Sequence, residues 1–97
     1  MYNGSVILIV VLSKRAKRDI EKVPGHVALK LAAWAESVET DGLEVVRRVP
    51  GFHDEPLKGD RKGQRSIRLS RAYRAIYIIK KQEVEFVSIE EVNKHEY

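Results

Sequence analysis

Residues 65–79 read Arg-Ser-Ile-Arg-Leu-Ser-Arg-Ala-Tyr-Arg-Ala-Ile-Tyr-Ile-Ile, so that basic residues are interleaved with β-branched and aromatic ones. Because successive side chains of a strand point to opposite faces of a sheet, this pattern predicts strands with one apolar face and one guanidinium-bearing face. We therefore expect two neighbouring strands, at 64–70 and 73–80, joined by a tight turn at Arg71-Ala72.

Around these two strands the sequence predicts an α+β fold. A strand at 84–92 completes an antiparallel meander, and the apolar run Val6–Leu12 predicts a further strand at about 5–12, buried on both faces as in the centre of a sheet. The predicted sheet is therefore four-stranded and mostly antiparallel.

Two helices are expected between the first strand and the meander. Ser13 is a suitable N-cap for a helix at 14–22, and apolar residues at helical spacing predict a second helix at 26–40 with Trp34 in the core. A short helical piece at 43–49 follows Asp41-Gly42. The order is β-α-α-β-β-β, with the two helices packed as a hairpin on the sheet.

Length and composition limit the possible functions. With 97 residues the chain is expected to form a single domain, 1–97, and the absence of cysteine excludes disulfide scaffolds, cysteine zinc sites and thiol catalysis. The apolar run at 6–12 is too short to cross a bilayer, so we expect no membrane partner and a cytoplasmic location. No Gly-rich phosphate loop or His-x-x-x-His pair is present, and we expect neither a metal nor a cofactor.

Positive charge is concentrated in the middle of the chain. The net charge is +4, and residues 58–81 contain nine basic residues and one acid, Asp60. Clustered arginine and lysine on one face of a sheet suit a phosphate backbone, so nucleic acid is the first partner to consider. The other interpretation is a solvated surface that serves solubility.

Within this cluster Arg68 and Arg74 are distinctive, because each is predicted inside a strand among apolar neighbours. They could pair with Glu90 or Glu91 across the sheet as structural ion pairs. Alternatively, they could face a concave site and stabilise the negative charge of a phosphoryl transition state. The spacing of the residues leaves both interpretations open.

Two other segments contain possible acid–base residues. In His53-Asp-Glu-Pro-Leu-Lys58, Glu55 is either a loop acid or a general base, with His53 and Asp54 as alternates. The C-terminal Lys94, His95 and Tyr97 are either exposed residues at a chain end or a fixed cation, a proton donor and a base-stacking ring.

Taken in order along the chain, several short motifs resemble the RelE/YoeB/HigB superfamily of toxins from toxin–antitoxin systems. They are Glu55-Pro-Leu-Lys-Gly59, Arg68, Tyr73-Arg74-Ala-Ile-Tyr77 and the closing His95-x-Tyr97. The resemblance implies a RelE-like fold and an endoribonuclease that cuts mRNA in the ribosomal A site. It also implies attack by the 2′-hydroxyl, which leaves a 2′,3′-cyclic phosphate and a 5′-hydroxyl without a metal, and neutralisation by a cognate antitoxin.

The resemblance also assigns roles to residues. Glu55 matches a general base, Arg74 and Arg68 match residues that stabilise the phosphate, His95 matches the acid that protonates the leaving 5′-oxygen, and Tyr97 matches a ring that stacks on or orients a base. The remaining basic residues would hold mRNA or ribosomal RNA backbone: Lys58, Arg61, Lys62, Arg65, Arg71 and Lys94. Two alternatives remain, a ParE-type toxin that inhibits DNA gyrase without cleavage and a non-catalytic RNA-binding module.

Overall fold

One mixed sheet organises the molecule, and a computed structural model describes residues 6–94 of it. The helices are α1 (Lys14–Ile20), α2 (Gly25–Asp41) and α3 (Leu43–Val46), with single 3-10 turns at Pro50–Phe52 and Gly59–Arg61. The strands are β1 (Val10–Leu12), β2 (Glu55–Pro56), β3 (Arg65–Arg68), β4 (Tyr73–Lys81) and β5 (Glu85–Lys94).

The strand order across the sheet is β1-β5-β4-β3-β2, with β1 parallel to β5 and all other pairs antiparallel. The predicted α+β class is confirmed, but the described sheet has five strands where four were expected. The additional strand is β2, in which Glu55 pairs with Ser66 and Pro56 with Arg65. A two-residue strand is too short for side-chain alternation to reveal it in a sequence.

The prediction that the first strand is central was wrong. β1 lies at the edge of the sheet, and its neighbourhood leaves Val6, Leu8, Ile9 and Val11 between 42% and 53% exposed. An apolar run of this kind is expected for a strand that is central in the sheet and buried on both faces. Here, among residues 6–94, β1 is paired along one edge only, with β5, and several apolar side chains of the run are exposed. Strand position depends on pairing partners far away in the chain, which the run itself does not encode.

The core lies between the helices and one face of the sheet. Val27, Leu31, Trp34 and Val38 of α2 join the same buried cluster as alternate residues of β3, β4 and β5. Trp34 packs against Tyr77 of β4 with ring centroids 5.2 Å apart, which confirms the prediction that Trp34 belongs to the core. This alternation leaves the intervening strand residues on the opposite face.

The first helix is fastened to the last strand by the predicted cap. The Ser13 hydroxyl accepts a hydrogen bond from the Ala16 amide (3.0 Å) and donates one to the Glu90 carbonyl (2.8 Å). On the same helix, the Asp19 carboxylate accepts from the Val92 amide (2.9 Å). The contacts to Glu90 and Val92 connect residues more than 70 positions apart and hold α1 against β5.

Candidate active site

Strand register places two arginines beside each other on the face of the sheet away from the helices. Arg68 of β3 lies directly opposite Arg74 of β4, and Asn93 of β5 lies opposite Arg74 on its other side. Residues paired in this way have their side chains on the same face, and like charges directly opposite each other destabilise a sheet. An arrangement that costs stability in the free protein suits an anionic ligand between the two guanidinium groups.

These arginines open into a cleft between β2, β3, the β3–β4 turn and the start of β4. The cleft has a volume of about 80 Å³, and its lining combines three guanidinium groups with one carboxylate, one imidazole, one phenol and two hydroxyls. Its residues are His53, Glu55, Ser66, Arg68, Ser70, Arg71, Tyr73 and Arg74.

Arg74 is partly buried and incompletely satisfied. Its Nε is inaccessible to solvent and has no hydrogen-bond partner among residues 6–94, and neither Arg74 nor Arg68 forms an ion pair there. A buried donor without a partner costs about 1–3 kcal/mol, so such groups are uncommon unless a ligand completes them. Oxygen atoms of a phosphate would supply the missing acceptors.

The carboxylate that could have neutralised Arg74 is occupied elsewhere. Glu91 is nearly buried and accepts hydrogen bonds from Arg61 Nη2 (2.9 Å) and Asn93 Nδ2 (2.6 Å), with Arg15 Nη1 at 3.7 Å. The expected alternative, in which Arg68 or Arg74 pairs with Glu90 or Glu91, is therefore not the arrangement observed. Glu91 instead ties Arg61 and the β2–β3 connection to the sheet.

Behind the cleft a buried carboxylate holds the edge of the sheet together. The Asp54 side chain is fully buried and accepts from Arg65 Nε (2.7 Å) and from the Tyr77 hydroxyl (2.5 Å). Burial, followed by the hydrogen bond to Asp54, raises the pKa of Tyr77 far above its ordinary value of 10. Tyr77 therefore favours its neutral form, in which the hydroxyl donates to Asp54.

Arg65 belongs to this anchor as well. Burial works against its charge, but the hydrogen bond and the attraction of Asp54 outweigh it and raise the pKa of Arg65. Both Arg65 and Tyr77 lie on the core side of the sheet, opposite each other in register. The hydrogen bonds of Asp54 to Arg65 and Tyr77 therefore join the residue before β2 to β3 and β4, on the side of the sheet opposite the cleft.

On either side of Asp54, His53 and Glu55 are exposed and reach the cleft. His53 adopts a left-handed backbone conformation (φ 46°, ψ 50°), unusual for a residue with a β-carbon, as the chain turns from the 3-10 helix into β2. Its Nε2 lies 3.5 Å from Arg68 Nη1. The Glu55 carboxylate and the His53 imidazole thus line the same cleft as the arginine pair.

The other expected site residues fall into three groups. Lys58, Lys62, Arg71 and Lys94 are exposed, with Arg71 in the cleft itself. Arg61 and Arg65 are engaged by Glu91 and Asp54, as described above. His95 and Tyr97 lie outside the described residues 6–94.

Sequence reasoning did not identify Ser66, Ser70 and Tyr73 as part of the cleft, nor Asp54 as its buried support. The alternation of side chains in β3 and β4 was a usable signal for Ser66, which is on the same face as Arg68. The part played by Asp54 depends on a pairing with Tyr77, 23 residues away, which no local pattern shows.

In the described part of the chain, no three His, Asp or Glu side chains come together in a way that could hold a metal ion. None of the helices within residues 6–94 has the length and apolar character needed to cross a membrane.

Comparison with known proteins identifies the fold. No protein-family model and no curated protein sequence matches the chain. Solved structures do match: the YoeB/ParE toxin from Agrobacterium tumefaciens is 19% identical, with a TM-score of 0.66 over 91% of this chain and 99% of that one.

Two toxin–antitoxin complexes also contain chains with this fold. A chain of the RelBE2 complex from Mycobacterium tuberculosis is 23% identical, with a TM-score of 0.67 over 93% of this chain and 100% of its own. A chain of the E. coli DinJ–YafQ complex is 17% identical, with a TM-score of 0.69 over 92% and 94%. The chain therefore has the fold of RelE/YoeB-type toxins, as its motifs predicted, over essentially its whole length.

Proposed function

We propose that this chain is the toxin of a toxin–antitoxin system and that it cuts mRNA on the ribosome. The observation that carries the proposal is the pair Arg68 and Arg74, opposite each other and without an ion-pair partner among residues 6–94, with a buried Arg74 Nε that lacks an acceptor. The fold and the resemblance to RelE, YoeB and HigB toxins support the same conclusion independently.

In the proposed reaction the two guanidinium groups hold the scissile phosphate. A guanidinium donates in a planar fork that matches two phosphate oxygens, and the charge it offers is most valuable when the phosphorane-like transition state gains negative charge. Glu55, on the adjacent edge strand, is the proposed general base that takes the proton of the 2′-hydroxyl.

The 2′-oxygen then attacks phosphorus, and the bond from phosphorus to the 5′-oxygen breaks. The products are a 2′,3′-cyclic phosphate and a 5′-hydroxyl. The resemblance assigns the proton for the leaving oxygen to His95 and the stacking or orienting of a base to Tyr97. In this proposal Lys58, Lys62, Arg71 and Lys94 dock on mRNA or ribosomal RNA backbone. The guanidinium groups of Arg61 and Arg65 already have carboxylate partners. These two residues would therefore contribute to RNA binding through the positive electrostatic potential of the surface.

The proposed partners follow from the same surface. The toxin works in the cytoplasm, where ribosomes and mRNA are present, and needs no small-molecule cofactor. A cognate antitoxin with an acidic segment that folds on binding would cover the cationic cleft. Structures with this fold include toxin–antitoxin complexes, which is consistent with such a partner.

The experiment is mRNA cleavage in a translation system reconstituted from purified components, with ribosomes programmed on a defined message. Wild-type protein should cut at codon-spaced positions, and Arg74→Ala should lower the rate by about 10²-fold to 10³-fold, as expected for loss of one transition-state donor. Arg18→Ala removes an exposed arginine of α1 far along the chain from the cleft and should cut like the wild type.

Two outcomes would contradict the proposal and point to different activities. Inhibition of DNA gyrase without any mRNA cleavage would identify a ParE-type toxin. Salt-sensitive RNA binding with neither activity would identify a non-catalytic RNA-binding module.

A further inference from the structure

His53 lines the cleft together with Glu55, and its backbone has an uncommon conformation. Its side chain is exposed, yet its backbone is in the left-handed region, which costs a non-glycine residue about 1 kcal/mol or more. Strain of this kind persists where the surrounding structure enforces it, and it is concentrated at functional sites.

Two features of the chain hold this conformation: the His53 amide caps the 3-10 helix by donating to the Pro50 carbonyl (3.1 Å), and the residue that follows is anchored. Asp54 is fixed by Arg65 and Tyr77 on the core side of the sheet. Its two neighbours in the chain, His53 and Glu55, consequently project the other way, into the cleft beside the arginine pair. The chain therefore presents an imidazole and a carboxylate to one phosphate-sized space.

The chemistry of the lining distinguishes the two roles. Arginine does not release a proton in proteins, serine and tyrosine hydroxyls are weak acids, and a carboxylate is a base at neutral pH. Histidine is the side chain that can both hold and donate a proton between pH 5 and 8. Among the described residues of the cleft, His53 is therefore the group suited to act as an acid.

His53 has strongly charged surroundings. The charged groups that face the cleft with it are Glu55 of β2, Arg68 of β3, Arg71 of the turn and Arg74 of β4, and Lys30 of α2 lines the adjoining cavity. In the free protein Arg68 Nη1 lies 3.5 Å from the imidazole Nε2. A phosphate between Arg68 and Arg74 would engage that guanidinium and lie beside the imidazole ring.

We propose that His53, in place of His95, is the general acid of the cleavage reaction, paired with Glu55 as the base. The imidazolium gives its proton to the 5′-oxygen as the bond between phosphorus and that oxygen breaks, while Glu55 takes the proton of the attacking 2′-hydroxyl. One proton enters the site and one leaves, and no oxidation or reduction occurs. The inference rests on the proposed mRNA cleavage and assigns its acid to His53 instead of His95.

The test compares two messages that differ by one atom. The cut site is first mapped on ordinary mRNA, and a second message then carries sulfur in place of the 5′-oxygen that leaves. A thiolate leaves without protonation, so loss of a general acid is repaired by this substitution and loss of a general base is not. Single-turnover rates are measured for both messages.

The variants are chosen to keep the backbone intact. His53→Asn removes the imidazole and retains a residue that tolerates the left-handed conformation, and His26→Asn makes the same change at an exposed histidine at the start of α2. We expect His53→Asn to slow cleavage of ordinary mRNA by about 10²-fold to 10⁴-fold and to cut the sulfur-containing message at nearly the wild-type rate. His26→Asn should behave like the wild type on both.

Three results would overturn the inference. They are a wild-type rate for His53→Asn on ordinary mRNA, an equal defect on both messages, and rescue by sulfur of His95→Asn but not of His53→Asn. An equal urea midpoint for His53→Asn and wild type makes the rates comparable. If wild-type protein itself cuts neither message, the proposed function fails before the role of His53 is reached.

Discussion

Arg65 and Arg68 lie three residues apart on one strand, yet the sheet gives them opposite tasks. Arg65 is on the core side and completes a buried carboxylate, whereas Arg68 is exposed and faces another arginine. The alternation of side chains decides which arginine supports the structure and which is available to a ligand. The sequence predicted that strand residues alternate between two faces, but it did not predict that Arg65 pairs with Asp54.

Alanine substitutions at these two positions should therefore separate stability from activity. Arg65→Ala leaves the Asp54 carboxylate buried without its cation and should reduce the free energy of unfolding by about 3 kcal/mol. Arg68→Ala removes a like-charge contact and should leave that free energy unchanged or raise it by about 0.5 kcal/mol, while mRNA cleavage is lost.

Urea unfolding and cleavage rates on the same preparations check this prediction. A loss of stability in Arg68→Ala comparable with that of Arg65→Ala would mean that Arg68 has a structural partner and would weaken its assignment to the phosphate.

Tyr77 makes a prediction about alkaline pH. Its pKa is raised in the folded protein by burial and by the hydrogen bond to Asp54, so the folded state keeps a proton that the unfolded chain releases near pH 10. The corresponding stability is complete below pH 10 and declines as the pH rises above it, because the unfolded state then binds fewer protons.

Free energies of unfolding measured between pH 8 and pH 11 should fall less steeply above about pH 10 for Tyr77→Phe than for the wild type, since this proton no longer takes part. Ultraviolet titration should show Tyr77 ionising only when the protein unfolds. Ionisation of all four tyrosines in the folded protein near pH 10 would contradict the buried hydrogen bond.

At the scale of elements, the sequence predicted what depends on local pattern. Helix α1 begins after Ser13 as expected, and α2, β3, β4 and β5 were found close to their expected bounds. The errors concern β1 and β2, whose place in the sheet is determined by pairing with β5 and β3. Strand neighbours are chosen by contacts between distant segments, which periodicity in a single segment does not reveal.

Ser13 offers a test of how an element is attached. Ser13→Ala removes both the cap of α1 and the hydrogen bond to the Glu90 carbonyl, and it should cost about 1–2 kcal/mol of stability. Ser37→Ala is a matched control, because among residues 6–94 the Ser37 hydroxyl bonds the Ala33 carbonyl of its own helix. This substitution should change stability by less than about 0.5 kcal/mol.

Chemical denaturation of both variants and the wild type gives the free energies of unfolding that test this prediction. Equal stabilities for Ser13→Ala and Ser37→Ala would mean that the cap does little to hold α1 against β5.

Across the whole molecule, the basic cluster of the sequence proves to serve several purposes. Arg61 and Arg65 bind the β2–β3 region to the rest of the fold, Arg68 and Arg74 converge on a cleft, and Lys58 and Lys62 remain exposed. The sequence singled out the arginine pair and predicted an anionic partner, which stays a prediction. It could not indicate which cations are neutralised by carboxylates, since Asp54 and Glu91 reach them only in the folded chain.

Arg68, Arg74, Glu55 and His53 converge on one cleft, and we propose that this cleft supports attack by a ribose 2′-hydroxyl on the neighbouring phosphate. The most direct measurement uses an mRNA with a single 2′-deoxynucleotide on the 5′ side of the mapped cut, presented on programmed ribosomes. We expect wild-type protein to leave this bond intact and to cut the all-ribose message to a 2′,3′-cyclic phosphate. Cleavage of the deoxy-substituted bond at the ordinary rate would contradict it.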